Sequence, residues 1–211
     1  MAIGEDLDDL RARPLRRGDL DPDPLRQFAA WYRETQEAGV PFAHAVALAT
    51  ATPEGRPSVR MVLMKDFDER GFSFYTNYGS RKGCELDANP HAALLFYWHP
   101  LGRQVRLEGL VEPLPEDESD AYFRTRPLGG RLAAMASRQS EPIESRTALE
   151  ERFHEVEAQC ADGDPARPEH WGGYRLTPER FEFWQHRESR LHDRFLYTPS
   201  DGGWQIQRLQ P

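Results

Sequence analysis

The chain has 211 residues, a formal net charge of −8 at pH 7, and 38% hydrophobic and 11% aromatic residues. This length and composition indicate one large folded domain and exclude an intrinsically disordered chain. The acidic balance argues against general nucleic-acid binding, so we expect any bound anion to be held by local clusters of Arg and Lys.

The first part of the chain is a charged segment followed by a helix. Residues 1–22 carry many charges and little apolar periodicity, which predicts a mobile N-terminal arm. Asp23 and Pro24 predict a helix start, because Asp is a good N-cap and Pro suits the first helical position. Apolar residues at helical spacing follow, and Gly39 predicts the end of this helix.

Five strand-like segments come next, between residues 43 and 113. Their sequences are AHAVALATAT, SVRMVLMKDF, FSFYTNY, HAALLFYW and RQVRLEGLVEPL, and most are joined by short turns. A short helix, SRKGCELDANP, interrupts them, since it opens on a Ser and closes before a Pro. Strands joined in this way predict an antiparallel barrel or sandwich rather than an open parallel sheet.

The last part of the chain adds helices and then further strands. Residues 115–160 contain two segments with helical spacing, which we interpret as a helical insert. Four more strands follow a polar loop: WGGYRL, RFEFWQH, RLHDRFLYT and WQIQRL. The sequence therefore predicts a mainly β fold with peripheral helices, organised as a single domain over residues 23–211.

Cysteine usage and hydropathy bear on the location of the protein. Cys84 and Cys160 lie in neither a CxxC motif nor a metal-ligand spacing, which predicts reduced thiols and no metal site. No apolar stretch approaches the roughly 20 residues that a transmembrane helix needs, and the acidic N-terminus lacks a signal-peptide core. We therefore expect a soluble, cytoplasmic protein with no membrane partner.

The strand segment RMVLMK places two cations around an apolar run. Because a strand alternates its faces, Arg60 and Lys65 point to opposite sides. Apolar residues on both faces predict burial on both faces. A Lys at the end of such a strand either binds a ligand or extends to solvent, and spacing alone favours solvent.

Two adjacent cations, Arg81 and Lys82, open the short helix after Gly79 and Ser80. A helix N-terminus presents free N–H groups and the positive end of the helix dipole, which suit a phosphate. A solvated turn explains the pattern about as well. The pattern GxxxxGK(S/T) does not occur, which excludes a nucleoside-triphosphate loop of that type.

Two later segments carry further cationic groups. Tyr122 and Arg126 are four residues apart, which predicts a phenol and a guanidinium on one helix face, although a plain surface helix is favoured on spacing alone. Arg190, His192 and Arg194 would share one strand face, where they repel one another unless an anionic or π-rich ligand lies between them. A charged, solvated edge strand is the alternative. The residues thus predict a β-barrel with two or three phosphate-sized sites.

Taken together, these segments resemble the pyridoxamine 5′-phosphate oxidase family. The resemblance runs from about Leu15 to Pro211, and eight strings stand in the family's order: RMVLMK, FYTNYGSRK, RQVRLEG, YFRTRP, SRQS, WGGYRL, EFWQ and RLHDRFLY. It implies a split β-barrel that binds FMN at the interface of a homodimer. It also implies oxidation of pyridoxamine or pyridoxine 5′-phosphate to pyridoxal 5′-phosphate by dioxygen, with release of hydrogen peroxide and, from the amine, ammonia.

The resemblance also implies which residues form the site. The positions that match the family's flavin contacts, some of them expected from the second subunit, are Arg60, Met61, Val62, Leu63, Met64, Lys65, Tyr75, Thr76, Arg81, Lys82, Gln104, Gln139, Ser140, Trp184 and Arg194. The positions that match the cradle for the substrate phosphate are Lys65, Tyr122 and Arg126. Arg190 and His192 match the contacts to the substrate's pyridine part, and we predict that they are the catalytic residues.

Two departures from the family pattern concern the substrate. Gly130 stands where the family usually has a Ser in the phosphate cradle. The arm carries the stretch 7–10 where the family often has an Arg and a Tyr over the substrate, so Arg11 and Arg13 are alternative candidates for that role.

Rival functions remain open at this point. A split-barrel flavoenzyme with another substrate, such as a phenazine-type or general flavin oxidoreductase, should lose YFRTRP and RLHDR, which this chain keeps. A non-catalytic flavin or pyridoxal-phosphate carrier would release no peroxide. A plain structural β protein would purify colourless.

Overall fold

The computed structural model describes residues 7–160 and 163–211. Its elements are helices α1 (Leu7–Ala12) and α2 (Pro24–Glu37), strands β1 (Ala45–Ala51), β2 (Pro57–Leu63), β3 (Asp66–Asp68) and β4 (Gly71–Asn77), helix α3 (Arg81–Ala88), strands β5 (His91–Trp98) and β6 (Arg103–Pro113), helices α4 (Glu116–Thr125), α5 (Leu128–Ala136) and α6 (Arg146–Gln159), and strands β7 (Trp171–Gln185), β8 (Asp193–Ser200) and β9 (Gly203–Leu209). The predicted mainly β fold with peripheral helices is confirmed. Within the described ranges, no helix combines the length and the apolar character needed to cross a membrane.

The nine strands of the described chain form one antiparallel sheet. Its order is β2-β1-β5-β6-β7-β4-β3, with β8 paired to β7 and β9 paired to β8. Strands β2 and β4 also contact each other, which curls the sheet toward a barrel. A register shift between Glu108 and Gly109 bends the long β6–β7 pair, and a side chain at Gly109 would clash with the carbonyl of Thr177.

Aromatic side chains fill the core of the barrel, and α2 closes it on one side. Phe28 of α2 is fully buried and meets the rings of Phe67 and Phe72 edge-on, at centroid distances of 5.0 and 4.8 Å. The predicted helix start is confirmed, because the carboxylate of Asp23 accepts the Leu25 N–H at 2.9 Å.

Strand β2 differs from its prediction. It lies at one end of the strand order, and Val59 and Met61 on its outward face are 70% and 63% exposed. The prediction of burial on both faces is therefore wrong for the single chain. An apolar run is typical of a central strand with both faces covered. In β2 one face packs inward, and the other is an exposed apolar surface of the kind found at protein interfaces.

Strand β8 also begins later than predicted. Residues Glu188–Arg190 form a 3-10 turn, and the strand starts at Asp193. Arg190, His192 and Arg194 therefore do not share a strand face, and that prediction is wrong. The cause is a pair of left-handed residues, Ser189 and Arg190, with φ of 55° and 60°. Left-handed residues interrupt a strand, and they could not be predicted here because neither position is a Gly or a Pro.

The predicted N-terminal arm is packed along the described part of its length. Residues 7–22 include α1 and a 3-10 turn at Arg17–Asp19, and Leu10, Leu15 and Leu20 are buried. Residues 1–6 of the arm lie outside the described residues. Whether the arm moves in solution stays a prediction, as does the single-domain boundary at residue 23.

Candidate active site

A cavity of about 840 Å³ lies at the seam where β2 meets β4, and α3 and the α4–α5 segment complete its walls. It brings together most of the predicted site residues: Arg60, Met61, Val62, Leu63, Lys65, Tyr75, Thr76, Arg81, Lys82, Tyr122, Arg126, Gln139 and Ser140. Met64 is not among them, because its side chain is buried in the core. Lys65 is exposed at the cavity, so both of its predicted roles, ligand contact and extension to solvent, stay open.

Lys82 is a buried cation at one end of this cavity. Its ammonium donates to three neutral oxygens, at 3.1, 3.2 and 2.6 Å: Thr76 Oγ1, Ser80 Oγ and Gln139 Oε1. Within the described ranges no carboxylate forms an ion pair with it. Burial, helped by the charge of Arg60, lowers the pKa of Lys82 to about 8. A buried ammonium without a counter-charge is costly, so this position favours a bound anion.

A buried carboxylate, Glu85, positions the two neighbouring arginines. Its oxygens accept from Arg81 Nε at 2.9 Å and from Arg60 Nη2 at 3.3 Å, and from the hydroxyls of Ser58 and Thr50 at 2.5 Å each. Burial alone would raise the pKa of Glu85, but these donors lower it to about 2, so it stays ionised. Glu85 therefore fixes both guanidinium groups within one chain, before any ligand binds.

Three stacked aromatic rings form a wall of the cavity. The three rings are nearly parallel: the centroids of Tyr122 and Trp171 lie 3.9 and 5.5 Å from that of Tyr75, and 6.3 Å from each other. Arg126 lies over the Trp171 ring, with 4.6 Å between its Cζ and the ring centroid. Its Nη1 is buried and has no hydrogen-bond partner among the described residues, and burial lowers the pKa of Arg126. A guanidinium with a buried, unpaired N–H group is a second position that favours an anion.

Tyr122 and Arg126 meet in a way that differs from the prediction. Helix α4 ends at Thr125, and Arg126 is extended, with φ −74° and ψ 146°. The prediction that they share one helix face is wrong, because Pro127 disfavours a helical conformation in the residue before it. Both side chains instead reach the same ring, that of Trp171.

Trp171 is a cavity-lining residue, and so a candidate site residue, that the sequence analysis missed. It is the first residue of β7 and pairs with Asn77 of β4, which places it beside the cavity. The signal was the double glycine that follows it in WGGY. A Cβ on Gly173 would lie 2.8 Å from the Tyr75 ring, so the glycine makes room for the aromatic wall.

The remaining predicted residues form a second cluster outside this cavity. Gln104, Trp184 and Arg194 are neighbours across β6, β7 and β8, and the His192 ring lies 4.5 Å from that of Trp184. Arg194 donates to Glu182 at 2.7 Å, so its charge is already paired. Together with Arg190 these residues line no part of the same chain's cavity. That some site residues come from a second subunit stays a prediction.

Comparisons with known proteins identify the family. A family model described as pyridoxamine 5′-phosphate oxidase matches residues 32–160, and one described as the pyridoxine 5′-phosphate oxidase C-terminal dimerisation region matches residues 171–211. The chain belongs to the pyridoxamine 5′-phosphate oxidase family. The predicted membership is confirmed, and the match to the dimerisation region supports a homodimer.

Relatives from two bacteria match over nearly their whole length. The pyridoxine/pyridoxamine 5′-phosphate oxidase of Rubrobacter xylanophilus is 57% identical, over 98% of this chain and 97% of its own length. The protein of the same name from Janthinobacterium sp. (strain Marseille) is 53% identical, with both chains covered in full.

Solved structures confirm the fold of this family. PhzG from Burkholderia lata 383, in complex with tetrahydrophenazine-1-carboxylic acid, superimposes with a TM-score of 0.89 at 34% identity, over 95% of this chain and all of its own. A pyridoxamine 5′-phosphate oxidase-related, FMN-binding protein from Nostoc punctiforme PCC 73102 gives a TM-score of 0.70 at 20% identity, over 89% of this chain and 97% of its own.

Proposed function

We propose that this chain is an FMN-dependent oxidase that converts pyridoxamine 5′-phosphate or pyridoxine 5′-phosphate to pyridoxal 5′-phosphate. Dioxygen is the acceptor, hydrogen peroxide is released, and the amine substrate also gives ammonia. The observation that carries the proposal is that one cavity holds two cations, the buried Lys82 and the half-buried Arg126 with its buried Nη1, for which the described residues supply no carboxylate. Two phosphorylated ligands, a flavin and a vitamin B6 ring, provide two anions, and the family supports this choice.

The end of the cavity at Lys82 fits the phosphate of FMN. Arg81 and Lys82 stand in the first turn of α3, where free backbone N–H groups favour an anion, and Gln139 and Thr76 add polar groups beside them. Glu85 keeps the arginines in place. When bound, FMN supplies the redox chemistry that side chains lack, while the protein supplies position and charge.

The end of the cavity at Arg126 fits the phosphate of the substrate. Arg126 offers an unsatisfied N–H group, Tyr122 a phenol and Lys65 an ammonium on the same cavity. Holding the phosphate at a fixed point orients the attached ring for reaction. The stacked wall beside Arg126, Tyr75 with Tyr122 and Trp171, gives that end of the cavity a flat, rigid surface.

The second cluster completes the site across a dimer. Trp184, His192 and Arg194 lie within residues 171–211, the part that matches the dimerisation region. The exposed apolar face of β2, with Met61 at its centre, supplies a surface that a partner chain can cover. In the proposed dimer Arg190 and His192 of one subunit contact the pyridine part of the substrate held by the other.

The test is an oxidase assay on the purified protein under air. We expect a yellow protein with a flavin absorbance band, and equal amounts of pyridoxal 5′-phosphate and hydrogen peroxide on addition of either phosphorylated vitamer. Pyridoxamine without its phosphate is the matched control and should react far more slowly at equal concentration. A yellow protein that binds the vitamers without releasing peroxide would be a carrier, and a colourless protein that does not take up FMN would refute the proposal.

One other substrate class has an observation in its favour. The TM-score of 0.89 relates this fold to PhzG, which holds a ring with a carboxylate rather than a phosphate. The same assay separates the two, because an oxidase of tricyclic carboxylates should gain little from a substrate phosphate.

A further inference from the structure

The connection between β7 and β8 has an unfavourable backbone. It carries the proposed catalytic residues Arg190 and His192, and two successive residues, Ser189 and Arg190, are left-handed with φ of 55° and 60°. Non-glycine residues adopt this conformation at a cost in free energy and keep it only where their surroundings hold them in place. The contacts that hold this connection therefore determine where the catalytic side chains stand.

Those contacts converge on Arg187, which has two roles at once. Its guanidinium donates to the carbonyl of Ala12 at the end of α1 and lies 3.8 Å from the carboxylate of Asp193. Its backbone N–H donates to Nδ1 of His192 at 3.1 Å. Arg187 thus touches both the N-terminal segment and the proposed catalytic histidine.

The N-terminal segment is tied to the same place by other bonds. Gln185 Nε2 donates to the carbonyl of Arg11 at 3.1 Å, and Arg11 Nη1 donates to the carbonyl of His99 at 2.6 Å. The carboxylate of Asp193 accepts the Leu15 N–H at 3.1 Å. Segment 7–15 therefore packs against the residues that flank the β7–β8 connection.

The bond to His192 has a chemical consequence. Because Nδ1 accepts a hydrogen bond, the neutral ring carries its proton on Nε2 and presents that N–H as a donor. Burial and the nearby charges of His186, Arg190 and Arg194 lower the pKa of His192, in keeping with a neutral ring. The backbone of Arg187 thus selects the tautomer that His192 offers to a ligand.

We infer that Arg187 is a positioning residue, which ties segment 7–15 to the β7–β8 connection and so sets the orientation of His192 and Arg190. The inference rests on the proposed function for its effect on catalysis. The tether itself is independent of that function. Docking of the N-terminal segment and alignment of His192 are coupled, since one residue takes part in both: its guanidinium holds the carbonyl of Ala12 and its backbone N–H holds His192 Nδ1.

The first test of the tether needs no substrate. In the full-length protein, Arg187→Ala should speed tryptic cleavage after Arg11 about tenfold, because α1 loses one of its anchors. Alanine keeps the backbone N–H that bonds His192, but without the guanidinium contacts the connection loosens, so the ¹⁵N signals of the His192 ring should broaden or split as the Nδ1–H tautomer becomes populated. Arg187→Lys keeps one donor and should fall between. The matched control is Arg180→Ala on the exposed part of β7, which should change neither measurement.

The second test is a double-mutant cycle on oxidase activity. Arg187→Ala should lower kcat about tenfold with little change in FMN affinity, and Leu10→Asp, which undocks α1 by charging a buried position, should have a similar effect. Combined, the two should cost no more than twofold beyond either alone, since both break one connection.

Three results would overturn the inference. They are unchanged cleavage and unchanged His192 signals in Arg187→Ala, fully multiplicative effects in the cycle, and wild-type kcat in Arg187→Ala. A protein that lacks oxidase activity altogether would instead contradict the proposed function, and the cleavage and NMR measurements would still decide the tether.

Discussion

The cavity at the β2–β4 seam and the cluster around Trp184 are built in opposite ways. In the cavity, elements of one chain supply the walls, and two cations have no carboxylate partner among the described residues: the buried Lys82 and the half-buried Arg126. In the cluster the charge of Arg194 is already paired with Glu182, and the backbone at Arg190 is irregular.

This difference matches the two proposed roles, in which the cavity binds the phosphates and the cluster positions the side chains that take part in the reaction. A buried, unpaired cation raises the free energy of the empty site and so favours a phosphate when one binds. A left-handed connection held by a few hydrogen bonds can place a side chain accurately but depends on its anchors. We therefore expect substitutions in the cavity to act on binding, and substitutions in the cluster to act on turnover.

The largest effect is expected from Arg126→Ala. Loss of charge-assisted hydrogen bonds to the substrate phosphate should lower kcat/KM for pyridoxamine 5′-phosphate by about 3–4 kcal/mol, or roughly 10²–10³-fold. The measurement is steady-state peroxide release.

Two controls accompany this variant. Its activity with unphosphorylated pyridoxamine should match that of the parent enzyme, because the lost contact is to the phosphate. The variant without ligand should unfold within about 1 kcal/mol of the parent, since the lost cation–π contact over Trp171 is offset by removal of an unsatisfied buried group. An equal loss with both substrates would show that Arg126 does not bind the phosphate.

The next effect tests the cluster. Arg190→Ala should lower kcat about 10- to 100-fold, the effect of one charged hydrogen bond made during reaction, while FMN affinity stays constant. Stopped-flow reduction of the flavin under saturating substrate measures this step. Wild-type turnover in the variant would exclude the proposed catalytic role of Arg190.

The two regions also differ in how well the sequence predicted them. The strand pattern and the caps at Asp23 and Ser80 gave the order and kind of the elements, because local rules govern them. The proposal that Arg81 and Lys82 bind a phosphate started from their place at a helix start, where a solvated turn was the alternative. Local rules could not predict that Lys82 has no carboxylate partner among the described residues, because its surroundings are formed only where strands β2 and β4 meet.

The errors lie where the backbone leaves regular structure. Arg126 is extended because of the following Pro127, so the wall depends on a tertiary contact with Trp171 rather than on helix spacing. The left-handed Ser189 and Arg190 have no sequence signal, so a strand was extended through them. Both errors fall on proposed substrate contacts, where tertiary contacts override local preference.

A smaller effect is expected from pH, through Lys82. Since its pKa in the folded, ligand-free protein is about 8, affinity for the flavin phosphate should fall above pH 8, by at most tenfold per pH unit. Fluorescence titration with FMN between pH 7 and 9.5 measures this. Lys82→Met should bind FMN weakly with a flat pH profile, and riboflavin, which has no phosphate, should show no such dependence with either protein.

The lowered pKa of Lys82 also predicts how the stability of the ligand-free protein changes with pH. Below about pH 8 both the folded and the unfolded chain carry the Lys82 proton, and the full cost of burying the charge is present. Between about 8 and the usual value of 10.5 the unfolded chain binds more protons, so the free energy of unfolding of the ligand-free protein should rise with pH relative to Lys82→Met. If the free energy of unfolding of the parent protein instead falls with pH relative to Lys82→Met, Lys82 does not carry a buried, uncompensated charge.

The smallest effects are expected from substitutions of Gly130, which lies in the first turn of α5. They distinguish an added hydrogen bond to the substrate phosphate from a more stable helix. A Cβ there would lie 3.5 Å from Arg126 Nη2, an ordinary contact, so a small side chain fits beside the proposed phosphate position. Gly130→Ser should therefore lower KM for the phosphorylated substrate about fivefold, the effect of one added hydrogen bond of about 1 kcal/mol. Gly130→Ala should raise helix stability by up to about 1 kcal/mol without changing KM. If Ala and Ser lower KM equally, the gain comes from a stiffer helix, and the cavity end at Arg126 is less rigid than its aromatic wall indicates.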